Sequence, residues 1–356
     1  MEADVLSDLL RAVRLRGAIY FDFNLSAPWV AAAPESSRAA AILMPHADHL
    51  IEFHVVARGQ CWARRLGGEP MLLSEGDAIV YPHGDPHVMA SSLDLNSVPS
   101  IDFAPGLELL ERARAVEQLP LVIEAQPGKP AEVSFVCGFL GCDLRPFNPL
   151  IAALPREIHI RRSGARDDDW LGAFLSVTVG EARARRAGGQ NMLARMSELM
   201  FVELIRRHLE SLPDEQTGWL AGLRDRQVGK ALSLIHRQAA RAWTVADLAE
   251  AVALSRSAFA ERFARLVGMS PMQYLTSWRM QLASELLVGS SQTIAAIAPQ
   301  AGYESEAAFS RAFRRMTGLP PASWRRDRSA PAETASATRG ASFPRDSESA
   351  MGDLQT

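Results

Sequence analysis

Residues 301–321 read AGYESEAAFSRAFRRMTGLPP. Phe309 and Phe313 stand four apart, and Arg311, Arg314 and Arg315 fall between and after them. That spacing puts both aromatic rings on one side of a helix and leaves a basic side close to its start. A Gly-x-Pro-Pro run, Gly318 to Pro321, closes the segment. Alone, such a helix is an ordinary amphipathic helix with a solvated charged side.

Its recurrence changes the reading. TVADLAEAVALSRSAFAERFARLVGMSP (244–271) aligns with TIAAIAPQAGYESEAAFSRAFRRMTGLPP (293–321). Thr244, Ala249 and Ala253 recur as Thr293, Ala298 and Gly302, an offset of 49. After one inserted residue, Ser255, Phe259, Phe263, Arg265, Gly268 and Pro271 recur as Ser305, Phe309, Phe313, Arg315, Gly318 and Pro321, an offset of 50. A fixed offset marks a duplicated structural unit.

Each copy has the pattern of a helix-turn-helix. A small residue (Ala249, Ala298) sits where two helices cross. Ala253 or Gly302 follows at the turn, and glycine suits a turn that needs positive φ better than alanine does. Ser255 and Ser305 take the N-cap positions of the second helices. The phenylalanine pairs pin those helices to a core and free the opposite side. A capped helix of this kind can lie in a major groove, its N-terminal half toward base edges and its outer arginines toward phosphates. Between the units, PMQYLTSWRMQLASELLVGS predicts one long connecting helix, so the two second helices are expected to meet successive major grooves about 34 Å apart.

The block WTVADLAEAVALSRSAFAERF, SPMQYLTSWRMQLASELL and IAPQAGYESEAAFSRAFRRMTGLPPASWRR strongly resembles the DNA-binding domain of the AraC/XylS family of bacterial transcription regulators. The resemblance covers about residues 226–326 and implies seven helices with two helix-turn-helix units. Carried over by position, base-reading roles fall on Ser257, Ala260 and Glu261 in the first unit and on Glu306, Ala307, Ser310 and Arg311 in the second. Arg311 is the residue expected on a guanine, because its fork can pair O6 and N7 together. Arg256, Arg262, Arg265, Arg314 and Arg315 are expected on phosphates. Pro299 departs from the family pattern: it stands inside the first helix of the second unit, where it removes a backbone hydrogen bond and can cost about 3 kcal/mol.

Charge supports a localised anionic partner. The chain of 356 residues carries a net charge of −3. Residues 224–328 hold 15 Lys/Arg and 8 Asp/Glu, a balance of +7, which leaves −10 on the remainder. A basic C-terminal third on an acidic remainder fits nucleic acid at one end. Cys61, Cys137 and Cys142 are too few for a secreted disulfide framework, and neither a signal peptide nor a membrane span is evident, so a cytoplasmic setting is expected.

Upstream the texture differs. From Gly17 to about Ile123, short apolar pieces such as LIEFHVVA and AIVYP alternate with Gly, Pro and Asp, as antiparallel strands do. GDAIVYPHGDPH (76–87) has the form Gly-x5-Pro-x-Gly-x2-His, which resembles the second motif of the cupin superfamily. His46-x-Asp48-x3-Glu52-x6-Gly59 resembles the first motif, with aspartate where a histidine usually stands. Two ligand sets stay open: His46, Asp48, Glu52 and His87, or His54, His83, His87 and Cys137. Against both stands a barrel whose histidines pack without metal, and neither a metal nor another cofactor is expected. A small-molecule effector pocket is expected instead, near Trp29, Phe53, His54, Trp62 and His87.

The expected fold is therefore α+β: a cupin-like antiparallel β-barrel (1–125), the rest of the regulatory region with a helical linker or dimerisation segment (126–222), an all-α domain with two helix-turn-helix units (223–326), and a disordered tail (327–356). Met192, Met196, Leu199, Met200 and Leu204 on the helix over 190–210 offer a self-association side, or are buried in their own domain. The function expected is sequence-specific regulation of transcription on double-stranded DNA, as an activator and a homodimer, with a small-molecule effector and RNA polymerase as further partners. The alternatives are a metal-dependent cupin enzyme fused to a DNA-binding module, and an architectural DNA binder without an effector.

Overall fold

A computed structural model describes residues 4–45, 47–93, 104–115, 119–124, 129–162, 170–213 and 217–329. After α1 (Val5–Ala12) the chain enters β1 (Arg16–Leu25), β2 (Val30–Ala33), α2 (Ser36–Leu43) and β3 (His49–Arg58). There follow β4 (Gln60–Arg65), β5 (Met71–Ser74), β6 (Ala78–Tyr81), β7 (His87–Ala90), α3 (Ala104–Ala115), β8 (Leu121–Glu124), β9 (Val133–Cys142), α4 (Pro149–Ala153) and β10 (Ile158–Ile160). Two sheets result, ordered β10-β6-β3-β9-β1-β8 and β2-β7-β4-β5.

The expected closed barrel is corrected: the strands form two sheets with open edges, and β8 pairs with β1 in parallel. The expected boundary at 125–126 is corrected too, because β9 lies between β3 and β1 in the middle of the larger sheet. The reason is burial on both faces. Helices α5 (Trp170–Ala184) and α6 (Gly189–Ser211) pack on the outer face of that sheet, and the smaller sheet lies inside. Every residue of β9 is buried accordingly. Side chains alternate: Ile51, Phe53 and Val55 of β3 join the core under the helices, while Leu50 and Val56 join the core between the sheets. At Gly17 the approach is so close that a Cβ would stand 2.6 Å from the Ser197 Cβ of α6.

The C-terminal part is helical. After α7 (Trp219–Arg224) come α8 (Arg226–Arg237), α9 (Val245–Ala251), α10 (Arg256–Val267), α11 (Pro271–Gly289), α12 (Ile294–Gln300), α13 (Glu306–Thr317) and α14 (Pro321–Ser329). From α8 to α14 these are the seven helices the resemblance implies. The expected boundary at 326–327 falls inside α14, and the remainder of the expected tail, from residue 330, lies outside the described residues.

Among the described residues three cores organise the chain. One lies between the sheets. A second runs from α1 and the outer sheet face through α5 and α6 into α8, α9, α10 and the first half of α11. The third belongs to α12, α13, α14 and the second half of α11, around Phe309, Phe313 and Trp324.

Candidate nucleic-acid interface and sheet cavity

The first helix-turn-helix unit is α9 and α10. Thr244 and Asp247 form a capping box at the start of α9. Ala253 takes φ +57° at the turn, a left-handed conformation costly for alanine. The Ser255 Oγ then accepts from the Ala258 N–H to cap α10. The second unit repeats the plan with Thr293 capping α12, Gly302 at φ +73°, and Ser305 capping α13. Pro299 sits one residue before the end of α12, and the helix runs through it to Gln300. A Cβ on Gly302 would stand 2.7 Å from the guanidinium of Arg279.

Both second helices bury their phenylalanines completely, with ring centroids 5.6 Å apart in each pair. Arg256, Ser257, Glu261 and Arg265 of α10 are exposed and Ala260 is half-buried. On α13, Glu306, Ala307, Arg311, Arg314 and Arg315 are exposed and Ser310 is half-buried. Among the described residues, no hydrogen bond or ion pair engages the side chains of Arg311, Arg314 or Arg315. Arg262 is the exception to the phosphate set. Its Nε and Nη2 donate to Asp225 at 3.0 and 2.5 Å, and Asp225 in turn caps α8. That edge of the fork ties α10 to α8, while the side chain stays 40% exposed.

Several residues that set this geometry carry no sequence signal. Arg279 donates to the carbonyls of Ala239 and Arg241, which holds the approach to the first unit against α11. Trp324 donates to Ser284 at 2.9 Å, and Arg325 reaches the carbonyls of Leu287 and Gln292. α11 thus carries both units, over about 28 Å at 1.5 Å per residue.

Polar contacts also join this part to the sheets. Buried Gln281 donates to the Ala12 carbonyl at 2.7 Å and accepts from the Phe147 N–H at 3.0 Å. Tyr274 accepts from Trp219 and bonds the Nε2 of His236, whose ring stacks on Trp278 at 3.8 Å. Arg328, in the last turn of α14, bridges both oxygens of Asp48 at 2.7 Å and Asp143 at 3.1 Å. Arg14 and Arg145 complete this cluster on Asp143 and Asp48. Burial raises the Asp48 carboxyl, but the hydrogen bonds and charges of Arg328 and Arg145 outweigh it, and the net shift is downward.

Between the sheets lies a cavity of about 50 Å3, lined by Phe21, Phe135 and Phe139 and by Glu52, His54 and His87. Of the expected effector pocket, His54 and His87 line it. Trp29 sits behind the wall, tilted on Phe135 at 5.5 Å. Phe53 points the other way, toward α5 and α6, because it differs in parity from Glu52 and His54. Trp62 lines a shallow surface recess with Arg64 and Pro70. Both are therefore corrected out of the cavity.

The ligand sets regroup as well. His46 lies outside the described residues. Asp48 is held by Arg328 and Arg145, and His83 Nε2 bonds the Leu154 carbonyl. Glu52, His54 and His87 meet, with their ligand atoms within 4.8 Å of one another. The two Nε2 atoms are 2.6 Å apart, and His54 Nδ1 is 2.5 Å from the Cys137 Sγ. Burial lowers both imidazole pKa values, His87 to about 4, and raises Glu52 to about 8. With both rings neutral the protons are fixed. His87 Nδ1 faces the Asp85 carbonyl and must donate, so its Nε2 accepts from His54 Nε2–H. His54 Nδ1 is then bare and accepts from the Cys137 thiol.

Of the side chains expected on a self-association side, Met196, Met200 and Leu204 are buried, while Met192 and Leu199 are exposed. Among the described residues no helix is long and apolar enough to cross a membrane.

Comparison with known proteins finds matches in both parts of the chain. Residues 4–210 match the cupin family and residues 248–327 the helix-turn-helix domain. An AraC-like transcription regulator of Streptomyces lividans is 33% identical over 324 residues, covering 91% of this chain and 98% of the relative. The HTH-type transcriptional regulator AlkR of Acinetobacter baylyi is 26% identical over 328 residues, 90% of this chain and 99% of the relative. Among solved structures, the DNA-binding domain of AdpA in complex with a target DNA aligns over 29% of this chain and 92% of that domain, at 29% identity and a TM-score of 0.28.

Proposed function

The chain belongs to the AraC family of helix-turn-helix transcription regulators, here with a cupin-type N-terminal domain, and from that premise we propose how it reads DNA and what governs the reading. Helices α10 and α13 enter successive major grooves. Ser257, Ala260 and Glu261 face bases from the first, and Glu306, Ala307, Ser310 and Arg311 from the second. Arg256, Arg265, Arg314 and Arg315 take phosphates. The observation that carries this reading is α13 itself: Phe309 and Phe313 are fully buried, while Arg311, Arg314 and Arg315 project outward.

The DNA-binding part is taken to begin near residue 223, and the sensor to include the chain through β10. The cavity between the sheets takes a small, largely apolar effector, since its wall is aromatic and its few polar groups converge on one side. An effector acts only through differential affinity for two arrangements. The contacts of Gln281, His236 and Arg328 are where those arrangements would differ. Exposed Met192 and Leu199 of α6 support a homodimer. A cytoplasmic protein that also touches RNA polymerase completes the proposal.

Selection of bound DNA from a random library, with and without candidate metabolites, tests it. Two half-sites about one helical turn apart are expected, with affinity falling steeply as salt rises. A single half-site, or affinity indifferent to salt, would overturn the two-groove reading.

A further inference from the structure

The two helix-turn-helix units lie in separate cores that meet on α11. On that helix the buried residues of the first core end at Trp278, and those of the second begin at Met280. Arg279 stands between them, near the middle of the 19-residue helix. Its half-buried side chain faces both units. Toward the first, Nε donates to the Ala239 carbonyl at 2.7 Å and Nη2 to the Arg241 carbonyl at 2.8 Å, in the stretch leading from α8 to α9. Toward the second, it lies against the turn between α12 and α13, where a Cβ on Gly302 would stand 2.7 Å from Cζ and Nη2 and 2.8 Å from Nε. Among the described residues no carboxylate pairs with Arg279, and its bonds go to the two backbone carbonyls. On the premise of two-groove binding, we propose that Arg279 sets the rotational phase between α10 and α13, and with it the number of base pairs between half-sites that the protein binds best.

Each half of α11 carries one unit, so a twist about its middle re-aims one recognition helix relative to the other. On DNA of about 10.5 base pairs per turn, one base pair corresponds to a rotation of about 34°. The guanidinium resists such a twist because its fork is planar and its two bonds leave in fixed directions, whereas an ammonium would meet the carbonyls as a point charge. Gly302 belongs to the same device. The equivalent turn of the first unit holds Ala253 at φ +57°, so a left-handed turn alone does not demand glycine here. The close approach to the guanidinium does. Arg279 turns its donors inward, away from the exposed sides of α10 and α13, and is therefore a positioning residue.

The test uses the full chain and a series of duplexes carrying the two half-sites selected from the random library, with the gap lengthened or shortened by one and by two base pairs. The parent should prefer one spacing over its neighbours by at least about tenfold, as a stiff link between two binding modules requires. Arg279→Met keeps the apolar stem and loses the fork. It should level that preference to within about threefold, while affinity for an isolated half-site changes by less than about twofold. Arg279→Lys should level it likewise, and replaces the methionine variant should that one fail to fold by circular dichroism. Arg325→Met, whose two lost bonds lie wholly within the second unit, should keep the parent's profile. An Arg279→Met profile with the parent's shape, or equal levelling by Arg325→Met, overturns the proposal and leaves two-groove binding standing. A parent indifferent to spacing overturns both.

Discussion

The two helix-turn-helix units are copies in sequence and strangers in setting. The first shares one continuous core with α1, α5 and α6, so Phe259 and Phe263 are packed in the same body as the outer face of the larger sheet. The second has a small core of its own around Phe309, Phe313 and Trp324, and meets the sheets through the charged cluster at Arg328. Their outward faces differ too. Arg311 of the second occupies the position of Glu261 in the first, and Glu306 that of Arg256. Duplication preserved the frame and let both the attachment and the reading surface diverge.

The largest effects should come from the cores. Phe263→Ala and Phe309→Ala each remove a fully buried ring, at about 3–5 kcal/mol. Phe263→Ala should lower amide protection in α5, α6 and α10 together, whereas Phe309→Ala should loosen α12 to α14 and leave the sheets protected. Hydrogen exchange read by mass spectrometry distinguishes them, and equal spreading from both would break the contrast. Next, Arg311→Ala should lose roughly 1–3 kcal/mol of DNA affinity and relax preference at one base pair. Glu261→Ala should change much less. If Arg311→Ala weakened all sequences alike in binding assays, its base-reading role would be wrong.

How far the sequence reached follows from which signals are local. The paired phenylalanines, the serine caps and the turn positions lie within a few residues of one another, and the duplication makes them visible twice. The tie between Arg262 and Asp225 joins residues 37 apart, and that between Arg328 and Asp48 joins residues 280 apart. Neither follows from periodicity, so in the sequence Arg262 groups with the phosphate contacts and Asp48 stands only as one member of an open ligand set, with no sign of either tie. On β3 a usable clue was present. Strand parity puts Glu52 and His54 on one face and Phe53 on the other, which separates the cavity residues from the helix-facing one. The closed barrel failed because strands covered on both faces look alike whether the sheet closes or not.

The turns sharpen the comparison at about 1 kcal/mol. Ala253→Gly should stabilise the first unit by up to about 1 kcal/mol, as it relieves a left-handed alanine. Gly302→Ala should destabilise the second by at least about 1–2 kcal/mol, from the same strain plus collision with Arg279. Thermal melts of the two variants should move in opposite directions.

The smallest effect is one of pH. Burial lowers the pKa of His236 from 6.5, and the carboxylate of Asp8, itself near Arg11, only partly opposes it. Folded His236 therefore binds fewer protons than unfolded, and its contribution is lost as pH falls below about 6.5. His236→Phe, which keeps the stack on Trp278, should melt with a shallower loss between pH 7 and 5 than the parent. Because the other depressed histidines remain, the comparison is of slopes.

Strand β3 begins one residue after Asp48, and Glu52 follows four positions later, about 13 Å along the strand. The grip on the last helix of the DNA-binding half and the floor of the cavity are therefore two points on a single stiff girder. A nudge of a few tenths of an ångström at one end has no slack loop in which to dissipate before it arrives at the other.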